Sequence, residues 1–330
     1  MIALLCAMAF SLSVGAVGAF RVICRRIFLA QPGDRSSHSN PTPTGGGFPA
    51  LVVFVAIAAT AIGLGAVPGG PRWWAVALCA CVLGALGLVD DARDLPRSVR
   101  YAGQVVVAAV VIRWLGHPGP AAGLPGLGAF AASVLVVTGL VNAFNFMDGI
   151  DALVGGTGVV IVGFLGWFTR DPLWALLAAS YAGFLVFNIP PARIFMGDAG
   201  STVLGGLVGI AILSGRASLE SRHFLIFGPL LGDSAYTIVR RLIRGENVFR
   251  AHHSHVYQRL LRAGHSHAAI SGCYVAATCL LGFLTASRSY GAVLGGAIGC
   301  VVALLAVEAY LMRRGVPFTR PMSSPRPLGV

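Results

Sequence analysis

Apolar residues run through this chain in long blocks broken by short polar islands, without the strict alternation of a half-buried strand or the single stripe of a soluble helix. A helix needs roughly 17–25 apolar residues to cross a bilayer. Reading between polar breaks gives eleven runs near that length, at 2–20, 48–67, 73–89, 99–115, 126–144, 150–168, 173–187, 202–215, 223–239, 270–287 and 292–312. Those at 99–115, 173–187 and 202–215 are short, which makes one of them a candidate re-entrant segment. The pattern predicts an all-α, polytopic membrane protein with about 10–11 transmembrane helices and its functional loops between them. Four polar islands stand out: Gly87–Leu95 (GLVDDARDL), Asn142–Asp151 (NAFNFMDGID), Met196–Ser201 (MGDAGS) and His252–Arg259 (HHSHVYQR). Ionisable groups at membrane depth are too costly to keep without a role, so function is sought there.

Composition agrees. The 330 residues are 56% hydrophobic and 11% charged, with mean hydropathy +0.79, which leaves too little polar surface to cover a soluble globule. The longest polar stretch, about 30 residues from Arg240 to Ala268, is too short for a separate soluble domain. The expected organisation is an integral membrane domain over 1–312 and a loose Pro-, Ser- and Arg-containing cytoplasmic tail over 313–330. The seven cysteines are odd in number and lack the spacing of a metal knuckle or disulfide framework. Arg21, Arg25 and Arg26 follow the first apolar run rather than precede it, which reads as a retained helix with its N-terminus outside, not a signal peptide.

All 24 basic residues counted as Lys or Arg are Arg, and their placement orients the helices. With the N-terminus outside, 18 fall on the cytoplasmic side and 6 opposite, as the positive-inside rule requires. That count does not use the acids, yet Asp34, Asp90, Asp91, Asp94, Asp148, Asp151, Asp198 and Glu246 collect at the cytoplasmic helix ends, with His38, His252, His253 and His255. Only Asp171 and Glu220 lie in the opposite turns. One-sided clustering from separate loops describes a single active site at the cytoplasmic membrane face. Carboxylates and carboxamides are hard oxygen ligands suited to Mg²⁺ or Mn²⁺ held jointly with phosphates. His252, His253, His255 and Arg259 beside them suit a multiply charged phosphate group. The implied class is phosphoryl transfer at a membrane surface.

Each island also has a structural reading. Asp90-Asp91 passes as a solvated helix end, Asn145 and Asp151 as caps, GDAG as a tight turn, and Arg240, Arg241 and Arg244 as anchors on anionic lipid. A secondary transporter would share the helix count and would use Asp233 to line a pathway, but its charges should gather near the midplane and its halves should repeat. A non-catalytic lipid-phosphate binder would have little use for Asp90, Asp91 and Asp198.

The order DD…NxxNxxDGxD…MGDAGS…HxxH, with an early Asp34–His38 and Pro41–Gly47 loop, resembles the polyprenyl-phosphate N-acetylhexosamine-1-phosphate transferases over roughly residues 30 to 262. The resemblance implies transfer of a sugar-1-phosphate from a UDP-N-acetylhexosamine to undecaprenyl phosphate, with UMP released. It implies Asn145 and Asp198 as Mg²⁺ ligands, Asp90 as the group that deprotonates or orients the lipid phosphate, and Asp91 as support for diphosphate and metal. Asn142, Asp148 and Asp151 belong to the same substrate-binding island, Asp151 on the nucleoside; Phe195 is placed to stack on uracil, and His252, His255 and Arg259 to hold diphosphate and sugar. The loop His252-His253-Ser254-His255-Val256-Tyr257-Gln258 lacks the triple His of the peptidoglycan enzymes, and Arg100 stands where their Lys is expected. That favours enzymes initiating O-antigen or other surface polysaccharides over a UDP-MurNAc-pentapeptide donor. The expected partners are the UDP-sugar, the polyprenyl phosphate and the bilayer, with no nucleic acid and with a homodimer left open.

Overall fold

The computed structural model describes residues 1–24, 29–30, 41–115, 126–215, 218–248 and 252–318. Each apolar run becomes a helix: α1 (Ile2–Cys24), α2 (Gly47–Gly63), α3 (Pro71–Arg93), α4 (Arg97–Leu115), α5 (Gly126–Met147), α6 (Leu153–Thr169), α7 (Pro172–Asn188), α8 (Asp198–Ser214), α9 (Gly228–Ile243), α11 (His267–Ala286) and α12 (Tyr290–Arg313), with a short α10 (Val256–Arg262) between the last two loops. Six of these, α1, α3, α4, α5, α11 and α12, are long and apolar enough to cross a membrane, and α2, α6, α7 and α8 are shorter apolar helices. The run read as 223–239 divides into a 3-10 turn, Ser221–Phe227, and α9, because Pro229 suits the first turn of a new helix and not the interior of an old one.

The short run at 202–215 is the centre of the molecule, not a re-entrant loop. Fifteen of the 17 residues of α8 are buried, packed chiefly between α3 and α5. A 17-residue helix rises only roughly 25 Å, less than the roughly 30 Å of a hydrocarbon core, so protein rather than lipid covers it. Close approach makes this possible: a Cβ on Gly87 of α3 would lie 2.4 Å from the Ala199 nitrogen, and one on Gly47 of α2 would lie 2.3 Å from the Gly200 Cα. At the other extreme, α12 buries only Gly296 and Leu311.

Alternating helices put the C-terminal ends of α3, α5 and α7 at the same end of the bundle as the starts of α4, α6 and α8. The opposite end is tied by Asp171, which accepts from the Leu173 nitrogen at 3.1 Å to cap α7 and pairs with Arg72 at 2.6 Å. A two-residue antiparallel pair, β1 (Leu29–Ala30) with β2 (Thr42–Pro43), lies at the polar end, where the Pro43 carbonyl accepts from the Phe195 nitrogen at 2.8 Å.

Candidate active site

Asp90 and Asp91 are neighbours in sequence, but successive helical residues point roughly 100° apart, so the two carboxylates serve different helices. Asp91 reaches α8. Its Oδ1 accepts from the Asp198 nitrogen at 3.0 Å and its Oδ2 from the Ala199 nitrogen at 3.3 Å, so it caps the orphan donors where α8 begins. Gly197, at φ +76°, turns the chain into that start, and a Cβ there would lie 2.5 Å from Asp91 Oδ2. Asp90 faces the turn to α4 instead. Its Oδ1 accepts from the Leu95 nitrogen at 2.7 Å and its Oδ2 from Arg100 Nη1 at 2.7 Å. The same Arg100 nitrogen donates to Asp198 Oδ2 at 3.2 Å, so one guanidinium holds two carboxylates from α3 and α8.

On α5, Asn142 and Asn145 are three residues apart and share a face. Asn145 Nδ2 donates to Asp198 Oδ1 at 2.8 Å and to Ser201 Oγ at 3.3 Å, so its carbonyl oxygen takes no part in these two bonds. Asn142 Nδ2 donates to Gln104 Oε1 and to the Thr138 carbonyl, both at 2.8 Å, tying α5 to α4. Asp90, Arg100, Gln104, Asn142, Asn145 and Asp198 line a cavity of ≈ 830 Å³ that also takes in Arg97, His252 and His255 and the apolar side chains of Leu83, Leu86, Tyr101, Phe146 and Val248, while Asp91, spent on the start of α8, is outside its lining. His252 is half-buried, and burial, with His255, Arg241 and His253 nearby, pushes its imidazole down to about 3. It meets the cavity as a neutral ring.

Asp148, Asp151 and Phe195 lie outside the lining of this cavity. Asp151 pairs with His267 Nδ1 at 3.1 Å and accepts from the Ala192 nitrogen at 3.0 Å; burial opposes its ionisation, but these partners hold its carboxyl below the usual value. It ties the start of α6 to α11 and to the loop before Phe195. Phe195 is half-buried, its backbone paired with Pro43 and Gly46. Asp148 has no hydrogen-bond partner for its side chain among the described residues, and burial, then the charges of Asp91 and Asp151, pushes its carboxyl up to about 8. A folded value above the unfolded one, about 3.9, means stability that is complete below pH 4 and lost as pH rises toward 8. Asp148→Asn is therefore expected to unfold at a higher temperature than the parent at pH 8 and at the same temperature near pH 4. Parallel melting curves at both pH values would show the carboxyl to be unshifted.

Arg259 turns away from the cavity. It is 1% exposed, bonded through Nη1 and Nη2 to Glu308 of α12 and through Nη2 to the Val316 carbonyl at 3.3 Å. Arg240 joins the same Glu308, and Arg241 is buried against Glu246 and the Asn247 carbonyl, so neither is the free lipid anchor its sequence suggests. Phe318 is buried under Arg240, Arg244 and Arg259, with the three Cζ atoms 4.4, 5.1 and 5.5 Å from its ring centre. The tail predicted from 313 thus packs against α9 and α10 as far as Phe318; its remainder, like Asp34–His38, lies outside the described residues. Arg100 is the main site residue that sequence reading left without a role, since its distance of ten positions from Asp90 says nothing until α4 folds back on α3.

Among the described residues no group of three or more His, Cys, Asp or Glu side chains could hold a metal ion. The oxygens of Asp198, Asn145 and Asp90 form a partial, hard-ligand set of the kind that Mg²⁺ completes with substrate phosphates and water.

The profile described as glycosyl transferase family 4 matches residues 73–216, which include Asp90, Asn145, Asp148 and Asp198. The decaprenyl-phosphate N-acetylglucosaminephosphotransferase of Mycobacterium tuberculosis is 30% identical over 93% of this chain and 88% of its own length. The probable undecaprenyl-phosphate N-acetylglucosaminyl 1-phosphate transferase of Bacillus subtilis is 28% identical over 72% of this chain and 70% of its own. The phospho-N-acetylmuramoyl-pentapeptide-transferase of a Synechococcus is 30% identical over 77% and 81%. With the motif order, the helical fold and matches across nine-tenths of its length, the chain belongs to glycosyl transferase family 4, the superfamily of polyprenyl-phosphate N-acetylhexosamine-1-phosphate transferases.

Proposed function

We propose that this protein transfers an N-acetylhexosamine-1-phosphate from a UDP-sugar to undecaprenyl phosphate at the cytoplasmic face of a bacterial inner membrane, releasing UMP and leaving an undecaprenyl-diphospho-sugar for surface-polysaccharide synthesis. One observation carries the reading. Asp90 and Asp198, from separate helices, meet on one guanidinium, that of Arg100, in a cavity that is also lined by Leu83, Leu86, Tyr101, Phe146 and Val248. That combination suits an acceptor with a phosphate head and a hydrocarbon tail.

The chemistry follows from charge. A phosphate monoester has a second pKa of about 6, so the nucleophile is already anionic near neutrality and repulsion between phosphates is the larger obstacle. Arg100 supplies a fixed positive charge between the reacting groups, and Asn145 steadies Asp198. Mg²⁺, when bound by Asp198, Asn145 and the substrate, would supply the remaining charge neutralisation. Asp90, with one oxygen on the Leu95 nitrogen and the other on Arg100, is held to orient the acceptor, and its charge is too well satisfied for nucleophilic attack. A single in-line displacement is therefore expected. Incubation with labelled UDP-sugar alone, followed by acid quench and proteolysis, should yield no phosphopeptide containing Asp90; a labelled one would establish a two-step path.

Purified protein with undecaprenyl phosphate and a panel of UDP-N-acetylhexosamines tests the whole reading. Mg²⁺-dependent UMP release with one donor is expected. Relatives named for GlcNAc and for MurNAc-pentapeptide transfer match at similar identity, so the HHSH loop is the feature that favours a plain N-acetylhexosamine. No UMP from any donor by folded, lipid-binding protein would favour a binding role.

A further inference from the structure

Asp233, in the middle of α9, is 3% exposed and takes no part in the chemistry above. Its Oδ1 accepts from the Val256 nitrogen at 2.8 Å and from Thr237 Oγ1 at 3.2 Å. Its Oδ2 accepts from the Tyr257 nitrogen at 3.1 Å and from the Tyr274 hydroxyl at 2.8 Å. His255 Nδ1 lies 3.3 Å from Oδ1. Three of these contacts converge on the turn that opens α10, where His255 leaves the backbone.

Beside a carboxylate that only accepts, the ring nitrogen must carry the proton. Nδ1 is then the donor to Asp233, the same side chain stands over the Gln258 nitrogen in the capping box that opens α10, and the ring lines the cavity. Neighbouring rings restrict any turn of the imidazole: Tyr257 is stacked on it at 5.8 Å, His252 lies at 5.0 Å and Phe146 at 6.4 Å.

We propose that Asp233 is the positioning residue of His255, holding the ring as its Nδ1–H tautomer so that Nε2 meets the phosphate groups of the bound substrates. The inference rests on the transferase reading for what enters the cavity, but the tautomer stands on the protein alone. A neutral ring so held offers Nε2 as an acceptor for an acidic phosphate proton. Once protonated, the same atom donates to a phosphate oxygen while the carboxylate balances the charge at the opposite edge. A cap of α10 and nothing more would need none of this.

The test uses the full chain in detergent or bilayers, as the parent, Asp233→Asn, His255→Ala and the double variant. Asp233→Asn is expected to lower kcat for UMP release by about 10–100-fold with the donor KM nearly unchanged, and to have no further effect in the His255→Ala background. Equal losses in both backgrounds would overturn the proposal and leave Asp233 a helix cap. Nitrogen-15 spectra of labelled histidine, which need no turnover, give the second reading, with the His255 ring assigned by its disappearance in His255→Ala. An Nδ1–H ring in the parent is expected; an Nε2–H ring would overturn the proposal even if Asp233→Asn fails to fold. An Nδ1–H ring in a protein that turns over no donor would sink the transferase reading and keep the positioning geometry.

Discussion

Asp198→Asn is expected to lower Mg²⁺-dependent UMP release by about 10²–10³-fold, the usual loss when one charge-stabilising group is removed from a water-excluded centre. The substitution keeps the shape of the side chain and an oxygen for Asn145 Nδ2, which now bonds Oδ1 at 2.8 Å. It removes the carboxyl group that faces Arg100 at 3.2 Å. Arg100 retains Asp90 at 2.7 Å, and Asp91 still caps α8 through backbone nitrogens that the change does not touch. The fold should therefore survive, and the unfolding midpoint should move little while kcat collapses. The measurement is kcat across a Mg²⁺ titration alongside a melting curve. Turnover near that of the parent at every Mg²⁺ concentration would put the reacting centre elsewhere, with Asp148 and Asp91 as the next candidates.

Helices were the legible part of this chain because membrane-grade apolarity is a one-dimensional signal. Each of the eleven runs has its helix; what the pattern missed is α10, a short element in polar sequence, and the break at Pro229 that splits one apolar run into the 3-10 turn at Ser221–Phe227 and α9. The site was half legible. Residue types and one-sided placement pointed to phosphate chemistry, and the motif order pointed to the family. Which partner each side chain takes was not written there. Asp90 and Asp91 read as a unit but diverge because a helix rotates them apart. Arg240 and Arg241 read as lipid anchors, yet their carboxylates, Glu308 and Glu246, come from 68 positions away and from the next turn of the chain. Asp233 read as a pathway residue of a transporter because a lone acid in an apolar run looks unpaired; its five contacts include three from a loop more than twenty residues later.

Glu308 carries the second large effect, on stability rather than chemistry. It joins α12, otherwise almost unpacked, to α10 through Arg259 and to α9 through Arg240. Replacing it with Gln would leave Arg259, 1% exposed and already without a partner for Nε, facing Arg240 with no carboxylate between them. Breaking one side of a buried pair in this way typically costs about 3–5 kcal/mol. A marked fall in the unfolding midpoint of Glu308→Gln is expected, with reduced UMP release as α10 loosens and His255 loses its place. The double variant Glu308→Gln with Arg259→Gln should recover much of the midpoint, because removing both charges also removes the stranded one, and Arg240 keeps Tyr236 and partial exposure to solvent. Recovery of the midpoint without recovery of turnover would show that α10 needs the clasp for alignment as well as for stability. If instead the two substitutions simply add, Glu308 and Arg259 are not coupled and the clasp does not hold the histidine loop.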